Sequence, residues 1–160
     1  MIGLTIIGAQ FGDEGKGKIV DYLANNADVI VRFNGGNNAG HTVKIGQTTY
    51  KQNLLPSGVL QKNKRNLISS GVVINPKVLI SEIETLRRLG ITISEKNLGI
   101  DFRSHLIMPW HILQESSENS KKIGTTQRGI GPCYEDKAAR TGLRFEDLIS
   151  EDSLTLKIKN

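Results

Sequence analysis

Cysteine is almost missing from this sequence, since Cys133 is its single occurrence among 160 residues. An intrachain disulfide is therefore excluded, and the composition favours a reducing compartment. Aromatic residues make up only 5% of the chain, too few to predict a surface on which nucleic-acid bases would stack. No apolar run approaches the length of a membrane span, and the apolar start meets Asp13 and Glu14 too early for a signal peptide. We therefore predict a cytoplasmic protein with neither nucleic acid nor a membrane as a partner.

The residues that are present are those of a globular protein. Hydrophobic residues account for 38% and charged residues for 23%, and 17 glycines indicate many turns. A length of 160 residues suffices to bury a core within one domain. The net charge of +5 suits an anionic ligand.

The stretch from residue 8 to residue 21 carries the strongest motif. An apolar run at 2–7 predicts a buried strand, a turn with three glycines follows, and an amphipathic segment at 19–23 predicts a helix. This order forms a cradle whose main-chain N–H groups can bind phosphate. Gly12 to Lys18 has the spacing of a P-loop, but Ile19 replaces the hydroxyl residue that holds Mg²⁺ in that motif. A surface turn with solvated charges is the alternative interpretation.

Two carboxylates, Asp13 and Glu14, stand inside this predicted phosphate loop. A carboxylate repels phosphate unless a cation lies between them, or unless the reaction needs the carboxylate as a base. The loop therefore predicts either a bound metal or acid–base chemistry beside the phosphate.

The rest of the chain predicts an α/β fold with a mostly parallel central sheet, flanking helices and one small β-hairpin. Apolar runs predict the strands, Asn75-Pro76 predicts the start of a helix that Gly90 ends, and Gly46-Gln47 predicts a hairpin turn. The predicted strands are 28–33, 42–45, 48–51, 67–69, 72–74, 91–93 and 98–100, and further helices are predicted after Pro109 and within 134–140, 145–149 and 151–160.

Two more glycine-rich loops follow the first one. Residues 34–41 leave the predicted strand at 28–33, at the edge of the sheet where ligands bind in α/β proteins. Residues 124–132 combine glycines with threonines and Arg128, which suits a phosphate, although an ordinary ordered loop fits the pattern equally well. His105 and His111 have no ligand-like neighbours in the sequence, so we expect surface or packing roles for both.

Three motifs, taken together, resemble the N-terminal part of adenylosuccinate synthetase. They are residues 10–18 (QFGDEGKGK), 38–42 (NAGHT) and 124–137 (GTTQRGIGPCYEDK), and their order and spacing agree with the family throughout. The family joins IMP to L-aspartate at the expense of GTP. The resemblance implies a P-loop-NTPase-like sheet, with 1–160 forming the N-terminal part of one GTP- and IMP-binding domain that is incomplete at its C-terminus.

The resemblance also implies roles for individual residues. Asp13 would accept the N1 proton of IMP, so that O6 can attack the γ-phosphate of GTP. Asp13 and the main-chain carbonyl of Gly40 would bind Mg²⁺, which would explain why Ile19 can replace a hydroxyl residue. His41 would act as the general acid, and Lys16 would complete the catalytic set by holding phosphate charge. For His41 and Asp13, ordinary structural roles (a histidine bonded within its loop, a first-turn carboxylate) are the alternatives.

Two sets of ligand contacts follow from the same resemblance. The GTP contacts would be Gly12, Asp13, Glu14, Gly15, Lys16, Gly17, Lys18, Gly40, His41 and Thr42. The IMP contacts would be Asp13, Glu14, Gly15, Lys16, Asn38, Ala39, Gly40, His41, Thr126 and Arg140. Arg140 would reach the IMP of a neighbouring subunit, which implies a homodimer.

The sequence departs from the family at a few positions and in length. Gln127 stands where the family often has glycine, and family members are much longer than 160 residues. We expect the elements that recognise guanine and aspartate to lie outside this sequence. A catalytically incomplete GTP- or IMP-binding fragment is therefore the main alternative to an enzyme. A generic P-loop GTPase and a related enzyme acting on a guanine nucleotide are further alternatives.

Overall fold

A computed structural model describes residues 3–10, 14–116 and 126–159, without the side chain of Ile45. Three residues of the predicted phosphate loop, Phe11, Gly12 and Asp13, lie outside this part of the chain, as do Gly124 and Thr125 of the third glycine-rich loop. Their predicted roles therefore remain predictions.

The described residues form both helices and strands. The helices are α1 (Lys16–Ala24), α2 (Pro76–Arg88), α3 (Pro109–Glu115), α4 (Ile130–Ala139) and α5 (Glu151–Lys159), with short 3₁₀ helices at Ser57–Leu60 and Phe145–Ile149. The strands are β1 (Val29–Arg32), β2 (His41–Ile45), β3 (Thr48–Gln52), β4 (Arg65–Ile68), β5 (Val73–Ile74), β6 (Leu98–Ile100) and β7 (His105–Leu106).

The main sheet is parallel and has the strand order β1-β4-β6. Val29 lies opposite Arg65, and Asn66 lies opposite Leu98. β5 and β7 form a second parallel pair, whereas β2 and β3 form an antiparallel hairpin. The predicted α/β class, with a mostly parallel sheet and one hairpin, is confirmed.

Local sequence signals explain two of these elements. The Asn75 side chain accepts a hydrogen bond of 3.2 Å from the Val78 N–H, so it caps α2 as its sequence predicts. Gly46 turns the hairpin at φ 59°, a left-handed conformation that glycine adopts without steric cost. Both predictions are confirmed.

The core lies between the sheet and the helices. Its largest fully buried apolar side chains are Leu54, Leu55, Ile68, Ile74, Leu86 and Leu106. Leu86 comes from the apolar face of α2, and Leu54 and Leu55 follow directly after β3. No helix in the described part of the chain is long and apolar enough to cross a membrane.

The predicted buried strand at residues 2–7 is wrong over the part that the structure describes. Residues 3–8 form neither helix nor strand, and Leu4 and Ile7 are 72% and 76% exposed. An apolar run becomes a strand only when a neighbouring strand binds its main chain and another layer covers its side chains. The run therefore adds no strand beside β1 in the main sheet.

The predicted strand at 91–93 is also wrong, because these residues complete the end of α2. The Ile91 N–H donates to the Leu86 carbonyl at 3.0 Å and the Gly90 N–H donates to the Arg87 carbonyl at 3.0 Å. These two bonds form the Schellman arrangement, with Gly90 at φ 84°. The Arg87 guanidinium binds the Ile93 carbonyl as well, so the segment folds back on the helix.

Candidate nucleotide-phosphate site

The central part of the candidate site is the loop of residues 34–40, which connects β1 to β2. It starts at the carboxyl end of β1, where parallel α/β sheets place their ligands. Arg32, the last residue of β1, is half-buried and donates to the Gly36 carbonyl at 2.5 Å. The same guanidinium donates to the Asn53 carbonyl at 2.7 Å, so it ties this loop to the segment after β3.

The first glycine-rich loop meets this central loop through Gly17 and His41. A Cβ built on Gly17 would lie 2.5 Å from the Cβ of His41 and 2.7 Å from its Cγ. Only a residue without a side chain permits this approach, so glycine is required here by a contact and not by backbone conformation. Gly15, by contrast, caps α1 in a left-handed conformation at φ 79°.

The charged residues of the first loop bind one another. Glu14 accepts from the Gln10 N–H at 3.0 Å and pairs with the Lys16 ammonium at 2.5 Å. Lys18 is exposed, and its main-chain N–H donates to the Gly15 carbonyl at 3.0 Å within the first turn of α1. That N–H is therefore used by the helix and is not part of an open anion cradle.

The third glycine-rich loop meets the central loop from the side of α4. The Arg128 guanidinium donates to the Asn37 carbonyl, and a Cβ on Gly36 would lie 2.6 Å from Ile130. The Tyr134 hydroxyl accepts from the Gly35 N–H at 2.9 Å and donates to the Gly71 carbonyl at 2.7 Å. The described parts of the first and third glycine-rich loops therefore both contact residues 34–41.

The environment of His41 lowers the pKa of its imidazole to about 4. Burial is the largest cause, and the positive charges of Arg32 and Lys16 act in the same direction. A hydrogen bond to the Leu55 main chain opposes them by favouring the charged ring. The ring is therefore neutral at pH 7 when no anion is bound, and a nearby phosphate would favour its protonation.

The remaining predicted IMP residues divide into two groups. Asn38 is exposed, and its side-chain oxygen accepts from the Gly36 N–H at 3.2 Å within the central loop. Thr126 is exposed and lies two residues before Arg128, whose guanidinium reaches that loop. Arg140 ends α4, about 15 Å from the helix start at the usual rise per residue. The structure does not bring Arg140 together with the other predicted contacts.

The predicted contacts that surround these residues lie on the same elements. Ala39 is half-buried and Gly40 is exposed in the central loop, and Thr42 is exposed on β2. Gln127 adopts φ 54°, a left-handed conformation that favours glycine, which agrees with the glycine that the family often has there.

Helix α3 supports the start of α4. The Gly129 N–H, at the cap of α4, donates to the buried Glu115 carboxylate. His111 is buried, binds the Asp136 carboxylate at 2.9 Å and accepts from the Met108 N–H at 2.9 Å. His105 is buried as well, so of the two predicted roles, surface or packing, both histidines have the packing role.

Sequence analysis missed two buried polar residues that contact or belong to the segment around the end of β3. Glu82 on α2 is 8% exposed and accepts hydrogen bonds from the main chain of residues 53–55. Gln52 is 1% exposed and lies opposite His41 in the β2–β3 register. A signal for Glu82 was present, because it lies three residues after Leu79 and four before Leu86, on the apolar face of a predicted helix.

A mostly parallel α/β sheet with glycine-rich loops at the carboxyl ends of its strands is the architecture of many nucleotide-binding proteins. The model of the adenylosuccinate synthetase family matches residues 5–160. The chain belongs to this family.

Named relatives support this assignment over a limited share of their length. An adenylosuccinate synthetase of Thermodesulfovibrio yellowstonii is 55% identical over 160 residues, which are 99% of this chain and 37% of that protein. One from Clostridium acetobutylicum is 51% identical over 164 residues, covering 100% of this chain and 38% of that protein. The chain thus spans less than two-fifths of the length of these two relatives.

Two solved structures share the fold. The fully ligated adenylosuccinate synthetase of Plasmodium falciparum has a TM-score of 0.84 and 39% identity, covering 95% of this chain and 36% of that one. The succinoaminodeoxyadenylate synthetase of cyanophage S-2L, bound to dGMP and dATP, has a TM-score of 0.67 and 23% identity, covering 88% and 39%. The second likeness concerns the fold alone.

Proposed function

We propose that this chain carries the phosphate-transfer part of a GTP-dependent ligase that joins IMP and L-aspartate to form adenylosuccinate. Family membership supports this reaction class. The observation that carries the proposal is the contact of the first and third motif loops with the second, at residues 34–41, where His41 lies against Gly17.

The first step transfers the γ-phosphoryl group of GTP to IMP. Asp13 takes the N1 proton, O6 attacks the γ-phosphorus, and the bond to the bridging oxygen of GDP breaks. A purine O6 is a poor nucleophile until N1 loses its proton, so a carboxylate at this point has a chemical use. Lys16 neutralises phosphate charge, and the His41 ring donates a hydrogen bond to the phosphate oxygens as charge develops.

The second step uses the 6-phosphoryl-IMP formed in the first. The amine of L-aspartate attacks C6, loses a proton and displaces phosphate, which gives adenylosuccinate. The residues that would bind guanine and aspartate are not among those that we assign in this chain. The whole reaction therefore belongs to a polypeptide that supplies them.

The proposed Mg²⁺ would be held by Asp13 and the Gly40 carbonyl. The exposed main chain of Gly40 fits this role, since oxygen ligands are those that Mg²⁺ prefers. A further oxygen, Oδ1 of Asn53, lies 3.8 Å from the position that a Cβ on Gly40 would take. Bound Mg²⁺ would neutralise charge on the transferring phosphate. Within the described residues, no cluster of three or more His, Cys, Asp or Glu side chains offers another metal site.

The proposed partner is a second copy of the same protein. Arg140 lies at the end of α4 away from the central loop, is exposed, and has a side chain free to point outward. A contact with the IMP phosphate of a neighbouring subunit is compatible with this position.

The test uses the natural polypeptide that contains these 160 residues, incubated with GTP, L-aspartate, Mg²⁺ and IMP labelled with oxygen-18 at O6. We expect adenylosuccinate, GDP and phosphate, with the label in the phosphate, because the C6–O6 bond breaks in the second step. The matched variants are Asp13→Asn, expected to abolish the reaction, and Asp28→Asn, an exposed carboxylate outside the site, expected to keep it. Unlabelled phosphate would contradict the proposed intermediate.

A second candidate function is nucleotide binding without turnover. Saturable Mg²⁺-dependent binding of GTP, with no adenylosuccinate formed by the natural polypeptide, would support this candidate against the ligase.

A further inference from the structure

Glu82 is a buried carboxylate whose partners are main-chain N–H groups. One oxygen accepts from Asn53 and Leu54, the latter at 3.0 Å, and the other accepts from Leu54 at 3.1 Å and from Leu55 at 2.9 Å. Burying a charge is costly unless hydrogen bonds compensate it, and three N–H donors converging on one carboxylate provide that compensation. Glu82 thereby fixes the course of the main chain directly after β3.

Arg32 holds the same segment from its other side. Its guanidinium donates to the carbonyls of Asn53 and Gly36, so it joins the segment after β3 to the loop before His41. Burial lowers the pKa of Arg32, and the negative charge of Glu82 is the largest influence that opposes this effect. The two opposite charges therefore stabilise one another across the main chain of residues 53–55.

The fixed segment borders His41. Gln52, the residue just before the segment, lies opposite His41 in the hairpin. Oδ1 of Asn53 lies 3.8 Å from the position that a Cβ on Gly40, the neighbour of His41, would take. Leu55, whose N–H is bound by Glu82, supplies the main-chain group that favours the charged form of the His41 ring. A displacement of residues 53–55 would thus change the main-chain surroundings of the imidazole.

We propose that Glu82 is a positioning residue for His41, acting through the main chain of residues 53–55 and together with Arg32. Its contribution to the reaction rests on the proposed ligase function, whereas its effect on the His41 ring does not. Glu82 touches no substrate in this proposal. By fixing the main chain beside the ring, it sets the tautomer and the direction of the imidazole.

The variant Glu82→Gln tests the proposal, because it keeps the size of the side chain but replaces one acceptor oxygen by an NH₂ group. That group would face N–H donors, which it cannot accept from. Glu84→Gln is the matched control, since Glu84 lies two residues further along α2, is exposed, and has a different direction on the helix. Both variants are made in the natural polypeptide that contains these residues.

The first measurement is the ring ¹⁵N spectrum of histidine-labelled protein at pH 7. We expect Glu82→Gln to shift the His41 signals towards a mixture of tautomers, while the signals of His105 and His111 and all signals of the Glu84→Gln variant stay unchanged. The second measurement separates kcat from KM. We expect kcat to fall about tenfold with little change in KM for GTP, as for other outer-shell partners of functional histidines.

The outcomes separate this proposal from the proposed function. Unchanged His41 signals in a folded Glu82→Gln protein would overturn the positioning role even if the parent protein is an active ligase. Shifted His41 signals in a parent protein without ligase activity would support the positioning role and contradict the function. If Glu82→Gln does not fold, Arg32→Lys replaces it, because lysine keeps the charge but cannot bind both carbonyls with a planar fork. Shifted His41 signals in this variant would support the positioning role, and unchanged signals would overturn it.

Discussion

Gly17 and His41 are in direct contact, and the absence of a side chain at Gly17 creates the space for the imidazole. Gly17 is the second residue of α1, where alanine would normally stabilise a helix by up to about 1 kcal/mol relative to glycine. A Cβ at this position would lie 2.5 Å from the His41 Cβ, far inside van der Waals contact. Because of this contact, we expect glycine to be more favourable than alanine at position 17, the reverse of their usual order in a helix.

The first prediction follows from this reversal. We expect Gly17→Ala to displace the His41 ring and to lower the free energy of unfolding by about 1–3 kcal/mol, as overpacking does elsewhere. Gly131→Ala is a close control, because Gly131 is also the second residue of a helix behind a left-handed glycine, with open space around it. Urea unfolding measures the stability of both variants. If Gly17→Ala were as stable as the parent protein or more stable, His41 could move away from the added methyl group without loss of folding free energy.

The second prediction concerns the charge of His41. Because its pKa in the folded protein is about 4, below the ordinary value of 6.5, the folded state binds fewer protons than the unfolded state between these values. The contribution of His41 to stability is therefore complete above pH 6.5 and is lost as the pH falls from 6.5 through 4. We expect the melting temperature to decrease over this range by less in His41→Asn than in the parent protein.

The third prediction is that a bound nucleoside triphosphate raises the lowered pKa of His41. The negative charge of a phosphate group favours the imidazolium form, and it offsets the positive charges of Arg32 and Lys16 that lower the pKa. Histidine NMR titration should show His41 titrating at higher pH with Mg²⁺ and GTP than without them. Guanosine serves as the control ligand, since it has the base but lacks the phosphates; an equal shift with guanosine would exclude a phosphate near His41.

The fourth prediction concerns Tyr134, which joins α4 to two loops at once. Its hydroxyl binds the Gly35 N–H and the carbonyls of Gly35 and Gly71. Phenylalanine would leave these partly buried groups without that partner, so we expect Tyr134→Phe to cost about 1–3 kcal/mol of folding free energy. Tyr22→Phe, at a side chain that is 73% exposed on α1, should cost much less. Urea denaturation of the two variants provides the comparison.

Sequence patterns predicted the elements that depend on local chemistry. Asn75 with Pro76 predicted the start of α2, and Gly46 predicted the hairpin turn, because each signal acts within a few residues of its own position. The apolar run at 2–7 predicted a strand wrongly, since a strand needs a neighbour that the run itself does not specify.

For the candidate site, too, local features were predictable from the sequence and contacts between distant residues were not. The glycine-rich loops were visible in the sequence, and their convergence on residues 34–41 agreed with the resemblance between the motifs and one family. The role of Glu82 was not predicted, because its partners at 53–55 are 27–29 residues away along the chain. The one sign of this tertiary contact in the sequence was the position of a carboxylate on the apolar face of a predicted helix.

The last prediction separates function from stability at Arg140. Arg140 ends α4 at φ 65°, a left-handed conformation that costs a residue with a side chain about 1–2 kcal/mol and glycine much less. We expect Arg140→Gly to leave the protein as stable as before or more stable, while it weakens IMP binding if the guanidinium reaches the phosphate of a neighbouring subunit. Arg88→Gly is the control, because Arg88 is an exposed arginine at the last residue of α2, and glycine there should destabilise the helix without affecting IMP. Calorimetric titration measures IMP binding, and thermal melting measures stability. An Arg140→Gly variant that binds IMP as tightly as the parent protein would remove Arg140 from the proposed site. The left-handed backbone conformation of Arg140 would then have no functional explanation.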